Sequence, residues 1–388
     1  TASTFGGAGA FDDEVGVVGD AEEAGFAGGG RALLSQPNTH AKPNYGIYLS
    51  KAAAMEEVRR IAESNPSFMR IETIESTRAG YSSSLTVVTV EPGGFTEAGD
   101  AAASARKTRV LYNYGEHGRE LITVDVAVQL LRDLAKGVEH AASLADPSAG
   151  SPAETKAALL NTVFKIVPME NVNGRTKVEA GDFCERKNGR GVDCNRNWAV
   201  DWGVKAPDYD PYEENPGAAP FSEPEAFMLK SLMEAFVPHV WVNVHSGMEA
   251  LFMPFDHKAV EAAGTGPAAM KQILTDINRM HCGGRCVVGS GGLGVGYLAH
   301  GTATDYVFVT QRAPIAYTWE IYGDQQAHFM DCFRMFNPTE RSGHAKVVRD
   351  WVGAAVSLLP LLRKHPELPM EAAVAAALGG GGGGNGGG

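Results

Sequence analysis

A histidine and a glutamate three residues apart could bind one metal ion in segment 113–120. His117 and Glu120 follow a predicted apolar strand, residues 109–113, at the point where a helix is expected to begin. Both side chains could therefore reach the same ion. The pair alone is not specific, because a chain with 11 histidines and 46 acidic residues contains such spacings by chance. A solvated helix start is the alternative.

A second histidine makes the metal interpretation stronger. His245 follows the apolar run 240–244 and is itself followed by Ser246 and Gly247. In open α/β sheets, ligands bind beyond the carboxyl ends of strands, and both candidate segments lie at such ends. Two histidines and one carboxylate would leave a fourth position for water, as a catalytic zinc ion requires. A histidine packed in the core is the default alternative.

Two further features could supply binding and proton transfer. Segment 184–198 contains three arginines and three asparagines, and guanidinium groups offer paired donors that fit a carboxylate or a developing oxyanion. A solvated basic loop is the alternative interpretation of that segment. Glu320 lies inside the mostly apolar run 315–321, where a buried carboxylate is costly unless a function requires it.

Two other chemistries are disfavoured. The run 289–294 matches the glycine pattern of dinucleotide-binding loops, but no amphipathic helix follows it and it lies late in the chain. We interpret it as a flexible loop. The sequence contains no G-x-S-x-G motif, so serine-hydrolase chemistry has no support.

Alternating strands and helices must position these residues. Strands are predicted over residues 69–74, 85–90, 109–113, 163–167, 240–244 and 315–321. Helices are predicted over residues 52–63, 120–134, 267–280 and 345–359. Capping boxes at Ser151 with Glu154 and at Ser222 with Glu225 predict two more helices. The alternation of Val124, Val126 and Val128 leaves a strand open for 120–134. The order predicts an α/β fold, a single domain with a mixed, mostly parallel central sheet and helices on both faces.

Composition sets the domain limits and excludes some partners. Residues 1–42 are predicted to be a flexible leader, 43–368 a catalytic domain, and 369–388 a low-complexity glycine-rich tail. The net charge of −12 argues against nucleic acid as a partner. No apolar run is long enough to span a membrane, and no secretory signal opens the chain. The oligomeric state is not indicated.

The five cysteines are compatible with two disulfides and one free thiol. Cys184 and Cys194 flank an arginine-rich turn, Cys282 and Cys286 are four residues apart, and Cys332 is left over. Five reduced, mostly buried thiols are an equally weighted alternative.

Taken in order, the candidate segments resemble the zinc metallocarboxypeptidase family, the carboxypeptidase A-like peptidases, over nearly all of 43–368. The family pattern is His-x-x-Glu, Arg, Asn-Arg, His, Tyr and Glu. In this sequence the matching residues are His117 and Glu120, Arg186, Asn195 and Arg196, His245, Tyr297 and Glu320. The amino-acid sequences of 191–198 and 220–225 are similar to those of a plant and green-algal branch of that family.

The resemblance implies one Zn²⁺ ion per chain. His117, Glu120 and His245 would be its ligands, and Asp193 would orient His117. Glu320 would act as general base toward a zinc-bound water and pass the proton to the leaving amine.

The resemblance also implies how a substrate is held. Arg186 would stabilise the oxyanion of the scissile carbonyl, and the substrate would be the C-terminus of a peptide or protein. The implied substrate-binding residues are Arg119, Asn195, Arg196, Tyr297 and Thr304. The reaction would release a C-terminal amino acid.

Two departures from the family and two competing functions remain. Secreted digestive members carry a long activation segment, whereas residues 1–42 are low-complexity, so we expect no inhibitory prodomain. Thr304 is not acidic, so we expect a neutral C-terminal side chain rather than lysine or arginine. A zinc amidohydrolase acting on acyl-amino acids or side-chain amides is one alternative, and an inactive peptide-binding module is another. The resemblance favours an extracellular or secretory location, which the sequence itself does not show.

Overall fold

Eight strands form one mixed sheet in the computed structural model, which describes residues 40–95, 107–205, 209–210, 212–328 and 330–368. Most of the predicted leader, 1–42, and all of the predicted tail, 369–388, lie outside the described residues. The strands are β1 (Met69–Arg78), β2 (Tyr81–Val90), β3 (Thr108–Tyr114), β4 (Thr162–Val167), β5 (Val240–His245), β6 (Met248–Met253), β7 (Val287–Ser290) and β8 (Ile315–Tyr322).

The strand order across the sheet is β1-β2-β4-β3-β5-β8-β6-β7. Four neighbouring pairs are parallel: β3 with β4, β3 with β5, β5 with β8, and β6 with β7. The pairs β1 with β2, β2 with β4, and β6 with β8 are antiparallel. The prediction of a mixed, mostly parallel sheet is therefore confirmed.

Helices cover both faces of this sheet. They are α1 (Lys51–Glu63), α2 (Leu121–Ala135), α3 (Val138–Ala142), α4 (Pro152–Leu160), α5 (Val172–Glu179), α6 (Pro224–Phe236), α7 (Thr265–Ile277), α8 (Gly291–Gly294), α9 (Ala303–Val309), α10 (Cys332–Phe336) and α11 (Arg341–Leu361). In the described ranges, none of them is long and apolar enough to cross a membrane.

Side chains along the central strands point alternately to the two faces of the sheet, so each strand packs against helices on both faces. In β3, Val110 and Tyr112 join an apolar cluster with α1, α2 and α11, whereas Leu111 joins a second cluster with α6 and α9. In β5, Val242 belongs to the first cluster and Trp241 to the second. Strands buried on both faces must be apolar at nearly every position, as these are.

The carboxyl ends of β3, β5 and β8 meet at one edge of the sheet. These three strands are neighbours and parallel, and their register pairs His245 directly with Glu320. The turn that carries His117 follows β3 immediately. The topology therefore brings together residues that are more than 120 positions apart in the sequence.

One of the two predicted capping boxes differs from the structure. Ser151 and Glu154 form the expected capping box at α4, but α6 begins after Glu223 and no side chain caps it. Ser222 instead donates a hydrogen bond to Glu223 at 2.7 Å, and Pro224 supplies the first helical position. The second capping box is therefore wrong. The helix predicted over 120–134 is confirmed as Leu121–Ala135, and the alternative strand is not formed.

The cysteines form two disulfides and one free thiol, which is one of the two alternatives left open by the sequence. The disulfides are Cys184–Cys332 and Cys282–Cys286, and Cys194 is a buried free thiol. Cys194 lies in a short 3₁₀ turn packed in the interior. The Cα atoms of Cys184 and Cys332 are 5.2 Å apart, a usual disulfide spacing.

Candidate active site

The ligand atoms of His117, Glu120 and His245 meet at one point beyond the sheet edge. His117 and Glu120 lie in the turn between β3 and α2, and His245 ends β5. His117 Nδ1 is 3.2 Å from His245 Nδ1, and the Glu120 carboxylate lies 2.7 and 3.1 Å from these two nitrogens. Ligand atoms around a tetrahedral zinc ion are about 3.3 Å apart. The three side chains therefore fit one zinc ion with little movement.

The charges at this point favour a cation. Burial alone would raise the pKa of Glu120, but the two histidines hold it below its ordinary value. Burial lowers the pKa of His245, yet Glu120 and then Glu116 raise it well above its ordinary value. Glu120 is thus ionised, and positive charge is stabilised between the two histidine rings.

Asp193 connects this cluster to the arginine-rich segment. Its Oδ1 lies 3.2 Å from His117 Nε2 and accepts a hydrogen bond from the Asn195 backbone N–H at 2.9 Å. Its Oδ2 accepts from Arg186 Nε at 2.8 Å. Burial would raise the pKa of Asp193, but Arg186 above all holds it well below its ordinary value. One buried carboxylate therefore orients both His117 and Arg186.

An inner cavity of about 70 Å³ opens beside the ligand cluster. Glu320 lines it together with Asn195, Tyr297 and His245. Oε2 of Glu320 is buried and has no hydrogen-bond partner among the described residues. Burial raises the pKa of Glu320 to about 7. The arrangement provides a carboxylate with a free oxygen, which could accept a proton from a molecule in the cavity.

An outer cavity of about 240 Å³ adjoins the inner one and shares three of its lining residues. It is lined by Arg119, Arg186, Arg196, Asp210, Glu213, Glu214 and Tyr297. The Asn195 side-chain oxygen accepts a hydrogen bond from Ala303 N–H at 2.9 Å, so its amide N–H groups remain for a ligand. Three cations and three anions thus surround the entrance.

Thr304 is placed one layer behind the cavity wall. Its hydroxyl group is 2.7 Å from that of Thr318, and it accepts a hydrogen bond from Trp241 Nε1 at 3.3 Å. Thr318, rather than Thr304, is among the described residues that line the inner cavity. Thr304 thus lines neither of the two cavities described, and its contact with a substrate side chain stays a prediction.

A known protein family matches this sequence. Residues 55–345 match a family described as zinc carboxypeptidase. The chain belongs to the zinc carboxypeptidase family. This match spans most of the 388 residues and confirms the resemblance seen in the ordered segments. Zinc is accordingly the cofactor of the family, and the donor set described above suits it. No curated protein sequence is significantly similar to the chain.

Solved carboxypeptidase structures share the fold. Bovine thrombin-activatable fibrinolysis inhibitor, in complex with tick carboxypeptidase inhibitor, is 19% identical with a TM-score of 0.62, covering 81% of this chain and 97% of that one. Carboxypeptidase A from Helicoverpa armigera is 18% identical with a TM-score of 0.63, covering 85% and 77%. At such identities the likeness establishes the α/β carboxypeptidase fold and nothing finer.

Glu116 offers an alternative to Glu120 as the third zinc ligand. Ligand atoms of Glu116, His117 and His245 lie within 4.8 Å of one another. Glu116 Oε2, however, lies 3.1 Å from His245 Nε2 and accepts a hydrogen bond from Asn243 at 2.6 Å. Glu120 lies at the opposite nitrogen of the same ring. We therefore predict that Glu120 binds zinc and that Glu116 holds His245 from behind.

Asp256 was missed by sequence reasoning. It is buried, lines the inner cavity, and accepts a hydrogen bond from the Thr302 hydroxyl at 2.8 Å. Its backbone N–H contacts both oxygens of Asp305 at 3.0 Å. Burial and then the Asp305 charge raise the pKa of Asp256 to about 7. An acid directly after the apolar residues 250–255 was the available signal, but β6 itself had not been predicted.

Proposed function

We propose that this chain is a zinc-dependent carboxypeptidase that hydrolyses the C-terminal bond of peptides or proteins. The observation that carries the proposal is the free oxygen of Glu320 in a cavity bordered by the zinc-ligand cluster. A base, a metal site and a group of arginines within one connected space match the needs of peptide hydrolysis.

The substrate carboxylate would bind between the two cavities. Arg196 and the amide of Asn195 supply the donors, and Tyr297 lines both cavities, where it could cover the bound end. Arg196 is nearly fully buried, so its charge acts in a poorly hydrated environment. Binding at this point would place the last peptide bond beside Glu320.

The chain's own residues would then carry out the proton transfers. Bound zinc would supply Lewis acidity, which makes water a nucleophile near neutral pH. Glu320 accepts the proton of the attacking water and delivers it to the leaving amine. Arg186, whose Nη1 lies 3.3 Å from His117 Nδ1, stabilises the negative charge that develops on the carbonyl oxygen. No covalent bond between enzyme and substrate is required.

A lysine or arginine side chain at the substrate C-terminus fits the inner cavity best. Asp256 is a buried carboxyl group at its wall, and Asp305 lies directly behind it. Asp305 is already paired with His257 at 2.5 Å, so a cationic side chain would pair with Asp256, whereas an acidic one would be repelled. This preference replaces the neutral side chain expected from Thr304, because the acidic group comes from a different segment, the loop after β6.

Zinc content and peptide hydrolysis test the proposal together. The substrates are acetyl-alanyl-lysine and its C-terminal amide, assayed with the wild-type protein, Glu320→Gln, and Glu234→Gln. Glu234 is a surface residue paired with Lys230 at 2.6 Å and serves as control. We expect about one zinc per chain in all three proteins, and a kcat for Glu320→Gln lower by about 10²–10⁴-fold.

The possible results separate the candidate functions. Cleavage of the free acid but not the amide supports a carboxypeptidase. Cleavage of an acyl-amino acid or a side-chain amide, without peptide cleavage, would indicate an amidohydrolase. Zinc binding with no hydrolysis would indicate a peptide-binding module, and absence of zinc would contradict the proposal as a whole.

We also propose that the protein works in an extracellular or secretory location. Two disulfides support it, because such bonds persist in oxidising compartments. Thiol labelling of the denatured protein, taken directly from its cells, should modify Cys194 alone. Modification of all five cysteines would contradict this location.

A further inference from the structure

Glu214 binds the arginine that the proposed function assigns to the substrate carboxylate. Its Oε1 accepts hydrogen bonds from Arg196 Nη2 at 2.6 Å and from Arg196 Nε at 3.2 Å. The Glu214 side chain is 17% exposed and that of Arg196 is 7% exposed. A shielded ion pair of this kind fixes a side chain much more firmly than a surface pair does.

The ion pair with Glu214 leaves two N–H donors of Arg196 free to bind a carboxylate. A guanidinium group has five N–H donors, and Glu214 takes one from Nε and one from Nη2. The Asn195 carbonyl oxygen accepts a third, from Nη1 at 2.9 Å. One N–H therefore remains on each terminal nitrogen. Two such donors match the two oxygens of a carboxylate.

Backbone hydrogen bonds hold Glu214 in its place. The Glu214 N–H donates to the Asp210 carbonyl oxygen at 2.8 Å. The next residue, Asn215, donates through its side chain to Gly191 at 2.7 Å, and its carbonyl oxygen accepts from Asp193 N–H at 2.8 Å. The glutamate is thus attached to the same segment that orients the metal ligand His117.

In the neighbouring ion pair, Glu213 binds the terminal nitrogens of its arginine instead of the Nε edge. Glu213 uses both oxygens to bind Arg119, at 3.1 Å from Nη1 and 2.7 Å from Nη2. The two terminal nitrogens of Arg119 are therefore already engaged by a carboxylate of the chain itself. Of these two arginines, Arg196 is the one that keeps an N–H on each terminal nitrogen for a bidentate contact with a substrate.

We propose that Glu214 is a positioning residue, which holds Arg196 by its Nε edge so that the outer N–H groups face the substrate carboxylate. The inference rests on the proposed function, because it assigns the carboxylate to that function's substrate. Without Glu214, Arg196 would lose its fixed orientation, and its terminal N–H groups would turn toward Asp193 or water. Substrate binding would weaken, while the chemistry at Glu320 would be unaffected.

Kinetics and binding test this role with matched variants. The variants are Glu214→Ala and Glu214→Gln, with Glu213→Ala as a neighbour in the same turn and Glu234→Ala as a remote control. For acetyl-alanyl-lysine we expect Glu214→Ala to raise KM about tenfold and to change kcat less than about twofold. Glu214→Gln keeps an acceptor oxygen and should give an intermediate KM.

Calorimetry separates this inference from the proposed hydrolysis. In a Glu320→Gln background, zinc-loaded protein is titrated with acetyl-alanyl-lysine and with its C-terminal amide. Glu214→Ala should weaken binding of the acid about tenfold and leave binding of the amide unchanged. This result would support the role of Glu214 even if the wild-type protein cleaved no peptide.

Three outcomes would overturn the inference. A lower KM or tighter acid binding in Glu214→Ala would show that Glu214 competes with the substrate for Arg196. Equal weakening of the acid and the amide would show a general loss of structure. No change in either would show that Arg196 does not depend on Glu214.

Discussion

Each of the two candidate ligand histidines has a carboxylate at its far nitrogen. Asp193 lies beside His117 Nε2, and Glu116 lies beside His245 Nε2. A carboxylate in this position fixes the ring orientation and makes the metal-facing nitrogen a better ligand. Only the first of these partners follows from the family pattern. The second partner is Glu116, the residue that directly precedes His117, and it is not part of that pattern.

Glu116 is held by a buried polar chain. The Asn243 side chain donates to Glu116 at 2.6 Å, and Asn113 donates to the Asn243 oxygen at 3.0 Å and to Glu170 at 2.6 Å. All four residues are fully buried. Burial and then the Glu116 charge raise the pKa of Glu170 well above its ordinary value. The raised pKa favours the neutral form of Glu170 at the far end of this chain.

Replacing Glu116 should weaken zinc binding without removing a ligand. We expect Glu116→Gln to lower zinc affinity about 10–100-fold, measured by competition with a chelator. X-ray absorption should show the same zinc ligands as in the wild type. Glu91→Gln, a buried carboxylate paired with Lys107 at a distant site, is the control. Loss of an oxygen ligand in Glu116→Gln would mean that Glu116, not Glu120, binds the metal.

Asp256 predicts a pH-dependent substrate preference. Its pKa is raised to about 7, and the charged groups nearby are Asp305, Arg196 and His245. Above that pH the carboxylate is ionised and attracts a cationic side chain, and below it the attraction is lost. The ratio of kcat/KM for lysine-ended to leucine-ended peptides should therefore rise up to about tenfold between pH 6 and 8.

The matched variant makes this prediction specific. Asp256→Asn should abolish the pH dependence of the ratio and leave leucine-ended peptides unaffected. Because the raised pKa means that an ionised Asp256 destabilises the folded state, this variant should also unfold at an equal or higher temperature at pH 8. A flat ratio in the wild-type protein would exclude Asp256 as the determinant.

At the level of elements, segments with a strong apolar pattern were predicted well, whereas two of the strands were missed. The strands β3, β5 and β8 and the helix α2 carry strong periodic patterns, and they position the candidate ligands and base. Strands β6 and β7 have six and four residues and were missed. Asp256 was missed with them. Ser222 failed as a cap because tertiary contacts recruited its side chain, which no local pattern encodes.

The glycine run at 289–294 has a packing role that its pattern concealed. It forms the end of β7 and the single turn of α8. A Cβ atom at Gly291 would lie 2.0 Å from Asp256 Oδ1, and one at Gly294 would lie 2.3 Å from the Phe252 ring. Both neighbours line the inner cavity. The glycines therefore allow a close wall for the inner cavity, and resemblance to a nucleotide loop is incidental.

For the whole molecule, one disulfide joins segments far apart in sequence. Cys184–Cys332 spans 148 positions and connects the arginine-rich segment to α10. Next to α10, Asn337 donates a hydrogen bond to the Arg119 carbonyl oxygen at 2.8 Å. The Cys184 carbonyl oxygen accepts from Arg119 Nη1 at 3.2 Å. The bond thus braces the outer cavity, although its pairing could not be deduced from spacing.

Removing this disulfide should cost more stability than removing the local one. For Cys184→Ser/Cys332→Ser we expect the free energy of unfolding to fall by about 2–5 kcal/mol, because a long loop is released in the unfolded chain. The Cys282–Cys286 disulfide joins residues only four positions apart, so the variant Cys282→Ser/Cys286→Ser should lose less stability. Denaturant unfolding of both variants measures the difference. Equal losses would mean that local strain or packing dominates.

Asp193 and Arg196 are three residues apart in one short turn, yet one touches a candidate zinc ligand and the other is the proposed partner of the substrate carboxylate. Occupancy of either site should therefore restrict the same few backbone angles. By thermodynamic linkage, zinc and a peptide terminus would each raise the affinity of the other by one common factor. A chelator should extract the metal less readily while a peptide is bound. The supply of substrate would then help to determine how much of the enzyme stays metallated.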